Sequence, residues 1–234
     1  MPDPLPPICI LAGGLGVRLG IHVRETPKPL LEVAGEPFLM HQLRLLARHG
    51  AREIVICVGY LGEQIERRIG NRQFGLNVAY SYDGPELIGT LGAVRRALPS
   101  LGDRFLVLYG DTYLQIDYGA AAESWKQAGL PAMMTVLRNE GRWDASNVRF
   151  DGRLVTAYDK RDPRPEMEWI DYGLGGLGPD ALQAVNHDVS DLADLYHELA
   201  LRRSLFGFAA SERFYEIGTP AALTETGEFL ARGT

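Results

Sequence analysis

The chain has 234 residues, 46% of them hydrophobic, and carries 24 basic against 30 acidic side chains for a formal net charge of −6. That length and composition supply a sizeable core, while an acidic balance with no basic cluster argues against a nucleic-acid surface. The lack of an eighteen-residue apolar run argues against a membrane span.

The opening MPDPLPP has neither the basic start nor the apolar core of a signal peptide, so a cytoplasmic protein is expected. Ile8 to Ala12 is an apolar run that breaks into Gly13, Gly14 and Gly16; Arg18 follows, then Lys28 framed by Pro27 and Pro29. An apolar run feeding glycines reads as a buried strand entering a phosphate-cradling loop. Glycine lets a ligand approach the main chain, so successive N–H groups can point at one anion. Arg18 then grips a polyphosphate and Lys28 meets it from the other side. The competing reading is a plain glycine-rich turn with two solvated cations, since short glycine motifs recur by chance.

Pro37 to His49 sets Leu39, Leu43, Leu46 and Ala47 on one helical face, with Gly50 as the stop. Glu53 to Val58 reads as a strand, Leu61 to Ile69 as a short helix, Asn77 to Tyr82 as a strand, Thr90 to Leu98 as a helix, and Arg104 to Tyr109 as a buried strand ended by Gly110-Asp111. Cys9 and Cys57 sit inside such runs, where reduced, buried thiols are expected. Strands alternating with helices up to about residue 128 predict an α/β protein with a Rossmann-like, mainly parallel mixed sheet flanked by helices.

Beyond that point the pattern changes. Ala132 to Leu137 is a strand candidate, and Asn147–Phe150 faces Leu154–Tyr158 across Asp151-Gly152, a short-hairpin signal. Trp169 to Leu177 reads as a bulged strand, Ser190-Asp191 opens a helix to Arg202, and Leu205–Ala209 and Phe214–Ile217 precede a last helix from Pro220 to Leu230. The expectation is one domain, with residues 1–128 binding nucleotide and 129–234 binding the acceptor. Ligands of open α/β sheets sit at the carboxyl ends of strands. The glycine loop, Gly59-Tyr60, the Gly84–Gly92 loop and Gly110-Asp111 all fall at that edge.

LAGGLGVRL with TPKPLLEVAGEP, followed in order by GTLGA from Gly89, the YGD at Tyr109–Asp111, the pair Asp159-Lys160 and EIGTP from Glu216, resembles the sugar-1-phosphate nucleotidylyltransferases. The short form is similar to the heptose-1-phosphate guanylyltransferases and to the uridylyltransferases of amino-sugar phosphates. The resemblance implies a nucleotidyltransferase fold of the GT-A-like kind, a nucleoside triphosphate and a sugar-1-phosphate as substrates, and Mg²⁺ as cofactor. It assigns Arg18, Lys28, Asp111 and Lys160 to catalysis. Leu11, Ala12, Gly13, Gly14, Gly16, Gly59, Gly89 and Thr90 would bind nucleotide, and Asn147, Asp159, Lys160, Tyr172 and Gly173 the sugar phosphate. Asp111 and Glu216 would hold the metal. Relatives commonly carry aspartate where Glu216 stands, and EKP where this chain has DKR, so both contacts differ in reach.

A sugar-1-phosphate has a second pKa of about 6 and attacks without a protein base, so no catalytic histidine is required. GTP is the preferred donor, with UTP, dTTP and CTP as alternatives, because main-chain groups read a base regardless of side chain. No nucleic-acid or membrane partner is expected, and monomer and homodimer both stay open. A dinucleotide-dependent oxidoreductase is disfavoured: Leu19 occupies the third glycine position of GxGxxG, and no acid follows Val58-Gly59-Tyr60. A glycosyltransferase would carry DxD, and Asp111 is followed by Thr112 and Tyr113. A catalytically inactive nucleotide-sugar sensor stays open through the change at residue 216.

Overall fold

The run Ile8–Leu11 forms β1, and it lies at the centre of the main sheet, hydrogen-bonded on both sides. In the computed structural model, residues 4–14, 25–86, 88–143 and 145–233 are described. Gly16 and Arg18, both expected at the phosphate loop, lie outside them.

A small hairpin, β2 (Glu32–Val33) and β3 (Glu36–Pro37), leads into α1 (Phe38–Arg48), which buries Leu39, Leu43 and Leu46 as its spacing predicts, with Phe38 buried as well and Ala47 half-buried. Each such side chain contributes roughly 1.5–3 kcal/mol on leaving water. Then follow β4 (Glu53–Val58), α2 (Gly62–Ile69), the short β5 (Arg72–Gln73) and β6 (Leu76–Tyr82). Next come α3 (Gly89–Ala97), β7 (Phe105–Tyr109) and β8 (Thr112–Leu114). Helix α4 (Tyr118–Ala128) starts where the Asp117 side chain accepts from the Ala120 N–H.

The second half supplies β9 (Ala132–Arg138), β10 (Val148–Phe150), β11 (Val155–Tyr158), β12 (Trp169–Leu177), α5 (Pro179–Leu182) and α6 (Leu192–Leu201). It ends with β13 (Leu205–Ala210), β14 (Phe214–Glu216) and α7 (Pro220–Ala231). Strands β10 and β11 pair across the expected turn, where Asp151 accepts from the N–H groups of Arg153 and Leu154. Thr219 caps α7, and Pro220 takes the first helical position, where no N–H is needed.

Strand order in the ten-stranded sheet is β11-β10-β12-β7-β1-β4-β6-β5, with β9 joined to β12 and β13 to β9. β7, β1, β4 and β6 are parallel, whereas β12 is antiparallel to β7. The mixed, mainly parallel reading of the first half therefore holds, and the second half is stitched onto it edge to edge. Two cores cover the two faces: one takes Ile8, Ile10, Ile54 and Ile56 with α1, α2 and α4, the other Cys9, Val55 and Cys57 with α3 and α6. The bulged strand β12 carries Gly175 and Gly176 where the rings of Tyr196 and Trp125 press in, and a Cβ at either position would collide with them. Both thiols are free and buried, with their sulfurs 3.4 Å apart.

Candidate active site

A cavity of about 340 Å³ opens at the carboxyl edge of the parallel strands. Leu11, Ala12, Gly13 and Gly14 line it from the end of β1, Gly89 and Thr90 from the start of α3, Tyr109, Gly110 and Asp111 from the end of β7, and Lys28, Asp83 and Gly218 complete the wall. Three of the four loops expected at this edge are thus on the cavity wall. The fourth stands behind it: a Cβ on Gly13 would lie 3.0 Å from the Gly59 nitrogen and 3.1 Å from Asp83 Oδ2.

Asp83 ends β6 just as Asp111 follows β7. It is buried, and burial raises its carboxyl pKa above the ordinary aspartate value, with the Arg96 guanidinium opposing the shift. Arg96 itself donates to the carbonyls of Tyr82 and Asp83, which fixes the backbone there. An acid closing a parallel strand was the available signal for this residue, and sequence reasoning missed it.

The loop at Gly89 and Thr90 is held from the other half of the chain. The Leu91 N–H donates to the Ser190 carbonyl at 2.8 Å, and a Cβ on Gly89 would strike that carbonyl. The Thr90 hydroxyl accepts from the Leu192 N–H at 2.8 Å and donates to Asp191, so it lines the cavity while serving the start of α6. Arg95 donates to the carbonyls of Asn186, His187 and Val189 at 2.8–2.9 Å, tying that segment to α3.

Asp111 sits in a turn braced on two sides. Buried Gln42, a lone polar residue on the apolar face of α1, donates through Nε2 to the carbonyls of Tyr109 at 2.8 Å and Thr112 at 2.7 Å. The Ile217 N–H donates to the Asp111 carbonyl at 3.0 Å. Lys28, buried in a short helical turn, ion-pairs with the Asp111 carboxylate at 2.5 Å. Glu216 faces Thr112 across the β8–β14 ladder, and its carboxylate reaches within 3.2 Å of the Cβ position that Gly218 lacks. Two carboxylates therefore stand at neighbouring points of one ribbon beside the cavity. Among the described residues no cluster of three or more metal-ligating side chains occurs. Two hard oxygen donors, with the remaining positions left to phosphate and water, nevertheless match how Mg²⁺ is held.

Lys160 comes to the same strand end from the second half of the chain. Its Nζ pairs with Asp171 at 3.3 Å and lies 5.6 Å from the Tyr109 ring centre. Asp171 is anchored by the Tyr158 hydroxyl at 3.2 Å and the Gly173 N–H at 3.0 Å, and its own N–H donates to Asn147 Oδ1 at 3.0 Å. Burial, reinforced by Asp171, pushes the Tyr158 hydroxyl pKa upward, so it stays a donor. Asp159 uses one oxygen to accept from the N–H groups of Arg161 and Asp162, which lowers its pKa and commits it to its own turn. Tyr172 does not present its side chain as the sugar contact expected of it: the ring is buried edge-on to Phe214. Asp171 turns to Tyr158 and Lys160 while Tyr172 turns into the core, and the strand loses its regular register between Asp171 and Gly175, where Gly173 takes a positive φ.

Residues 8–210 match the MobA-like NTP transferase domain. Over 216 residues the chain is 34% identical to the D-glycero-alpha-D-manno-heptose 1-phosphate guanylyltransferase of Campylobacter jejuni, covering 90% of this chain and 94% of that protein. It is 43% identical over 117 residues to the N-acetylmuramate alpha-1-phosphate uridylyltransferase of Neisseria meningitidis, a match spanning 49% of this chain and 51% of that one. In fold it is similar to the crystal structure of HddC from Yersinia pseudotuberculosis, with a TM-score of 0.76, 22% identity and coverage of 97% of this chain and 100% of that one.

Proposed function

The chain belongs to the MobA-like NTP transferase domain family, and from that premise we propose that it joins a nucleoside triphosphate to a sugar-1-phosphate and releases pyrophosphate. One observation carries the reading: Lys28 and Lys160, far apart in sequence, both reach the Tyr109–Asp111 end of β7 beside a cavity walled by glycines. Bringing two phosphorylated reactants together is above all a problem of repulsion, and such transfers depend on positioning and electrostatic stabilisation.

In this reading a phosphate oxygen of the sugar-1-phosphate attacks the α-phosphorus, and the bond to pyrophosphate breaks. Lys28 neutralises the α-phosphate, Lys160 holds the incoming phosphate, and Arg18 with the Gly13–Gly14 amides receives the departing pyrophosphate. Asp111 and Glu216 would hold Mg²⁺, which when bound supplies positive charge to the phosphate oxygens. The acceptor is a heptose or hexose 1-phosphate, and the enzyme works among cytoplasmic nucleotides.

The base assignment rests on Asp83. An ionised carboxylate is acceptor-only and can take two donors side by side. Guanine offers an adjacent N–H pair on one edge, whereas the pairing edges of adenine, cytosine and uracil mix donors with acceptors. GTP is therefore the assigned donor. A matrix of five triphosphates against a panel of sugar-1-phosphates, scored by pyrophosphate release, tests it. Turnover with GTP supports the proposal, preferential turnover with UTP moves the base, and silence in every well overturns the function.

A further inference from the structure

We propose that His197 is a positioning residue that holds the Lys160 turn at a set distance from the cavity, with α6 as the bar between the two; this rests on the nucleotidylyltransferase reading above, in which Lys160 holds the incoming phosphate. Lys160 follows β11 in an irregular turn, and its side chain, partly exposed, meets Asp171 at 3.3 Å. A long, flexible side chain on such a turn is placed only as well as the backbone beneath it.

That backbone is fastened to α6. Nδ1 of His197 stands 2.7 Å from the carbonyl oxygen of Tyr158, two residues before Lys160. A carbonyl only accepts, so Nδ1 carries the proton and donates. The same nitrogen lies 3.9 Å from Asp159 Oδ2, while Asp159 Oδ1 accepts from the N–H groups of Arg161 and Asp162. The turn is thus closed on itself and hung from His197. Beside it the rings of Tyr158 and Tyr196 meet edge-on, so β11 and α6 are packed together at this point. Arg161 adds ion pairs to α6, at 2.9 Å to Asp194 and 3.8 Å to Asp191. Those pairs are exposed, and exposed pairs contribute little and weaken with salt. The half-buried histidine therefore carries the anchorage.

The other end of α6 is fixed to the cavity. Leu192, its first residue, donates its N–H to the Thr90 hydroxyl, and Ser190 just before it accepts from the Leu91 N–H, both at 2.8 Å. Thr90 lines the cavity. His197 lies about 7.5 Å further along the helix than Leu192, so one short helix carries both fastenings. Lys160 is thereby set beside Tyr109, another cavity residue, with Nζ 5.6 Å from the ring centre. Two phosphates that must meet need their holders at a fixed separation, and a misplacement of about 1 Å is enough to cost rate. His197 touches neither phosphate in this scheme and acts through Lys160.

Steady-state kinetics of His197→Ala, His197→Asn and His197→Gln beside the parent test this, with each substrate varied in turn, pyrophosphate scored and thermal melts run on every variant. Asparagine presents an N–H close to the place of Nδ1, glutamine fills the space but carries its N–H one bond further out, and alanine presents none. The alanine variant is expected to raise KM for the sugar-1-phosphate by about three- to tenfold, the worth of one such hydrogen bond. KM for the triphosphate should be unaltered, asparagine should restore most of the loss, and glutamine less. A parent-like KM for the sugar-1-phosphate in His197→Ala, an asparagine variant no better than alanine, or an equal rise in both KM values overturns the positioning role and leaves the proposed reaction standing, since the parent still turns over. A parent that releases no pyrophosphate with any acceptor removes the reaction, and the positioning role with it.

Discussion

Lys28 Nζ stands 2.5 Å from Asp111 Oδ2, an ion pair between residues 83 positions apart that brings a cation and an intended metal ligand to one point. Each group neutralises the other until substrate arrives. In the proposed reaction the lysine would reach phosphate only as the carboxylate finds another positive partner, which would couple the two roles. Replacing Lys28 with alanine should lower pyrophosphate release by 10²–10³-fold, the scale seen when one charge-stabilising group is removed. Arginine at that position should restore only part of it, since its planar fork cannot follow the same stem. Parent-like turnover in Lys28→Ala would sink the assignment.

Glu216 shares the metal in the proposed arrangement, on a longer arm than the aspartate common in similar enzymes. Glu216→Gln keeps the shape and removes the charge. It should raise the Mg²⁺ concentration for half-maximal rate by roughly tenfold or more, while Glu216→Asp should keep most of the rate. Chelation with EDTA should abolish turnover in the parent, and readdition of Mg²⁺ should restore it.

Asp83 gives a pH signature. Burial raises its pKa, so the folded protein binds a proton that the unfolded chain has already released. Across that window its contribution to stability is present at lower pH and is lost as pH rises through the folded pKa. Guanine recognition runs the opposite way, because only the ionised carboxylate accepts two N–H donors. KM for GTP should rise on acidification at a pH above the ordinary aspartate range. Asp83→Asn should flatten that dependence and lower kcat/KM for GTP by roughly 10–100-fold, the value of hydrogen bonds to a charged acceptor. A pH profile identical in parent and variant would remove Asp83 from the base site.

Gln42 touches no substrate and acts through the turn it braces. Gln42→Leu leaves the Tyr109 and Thr112 carbonyls without their donor, at a cost of about 1–3 kcal/mol for each buried group. The melting temperature should fall. If the brace also orients Asp111, the Mg²⁺ requirement should shift as well, and thermal melts with Mg²⁺ titrations of rate separate the two effects. A lowered melting temperature with an unmoved Mg²⁺ requirement would leave Gln42 a purely structural residue.

The strands that build the central sheet are legible in the chain because each is an apolar run of four to six residues ended by a turn residue, as with Ile8–Leu11 before the glycines and Phe105–Tyr109 before Gly110. The hairpin around Asp151-Gly152 is legible for a similar reason, since an aspartate and a glycine at one turn leave little choice. The β8–β14 ribbon is legible only at its second strand, read over Phe214–Ile217. Strand β8 has three residues, too few for alternation to register, and the pairing joins segments about a hundred residues apart. Site residues divide the same way. Lys28 and Asp111 stand out beside Pro and Gly, whereas Asp83 and Gln42 look like an ordinary strand end and a stray polar residue until their neighbours are known. Thr90 reads in sequence as a main-chain nucleotide contact, and the structure adds that its hydroxyl is engaged by Asp191 and Leu192, which no local pattern reveals.

Strand β12 lies against β7, and the Ser190 carbonyl fastens the Leu91 amide, so the cavity that begins at Gly13 and Gly14 is finished by chain made long after them. On the ribosome, the first 128 residues emerge with Gly13, Gly14, Gly89 and Gly110 in hand and must wait for Gly218 before the wall is complete. A gene cut between the halves would yield no working module on either side.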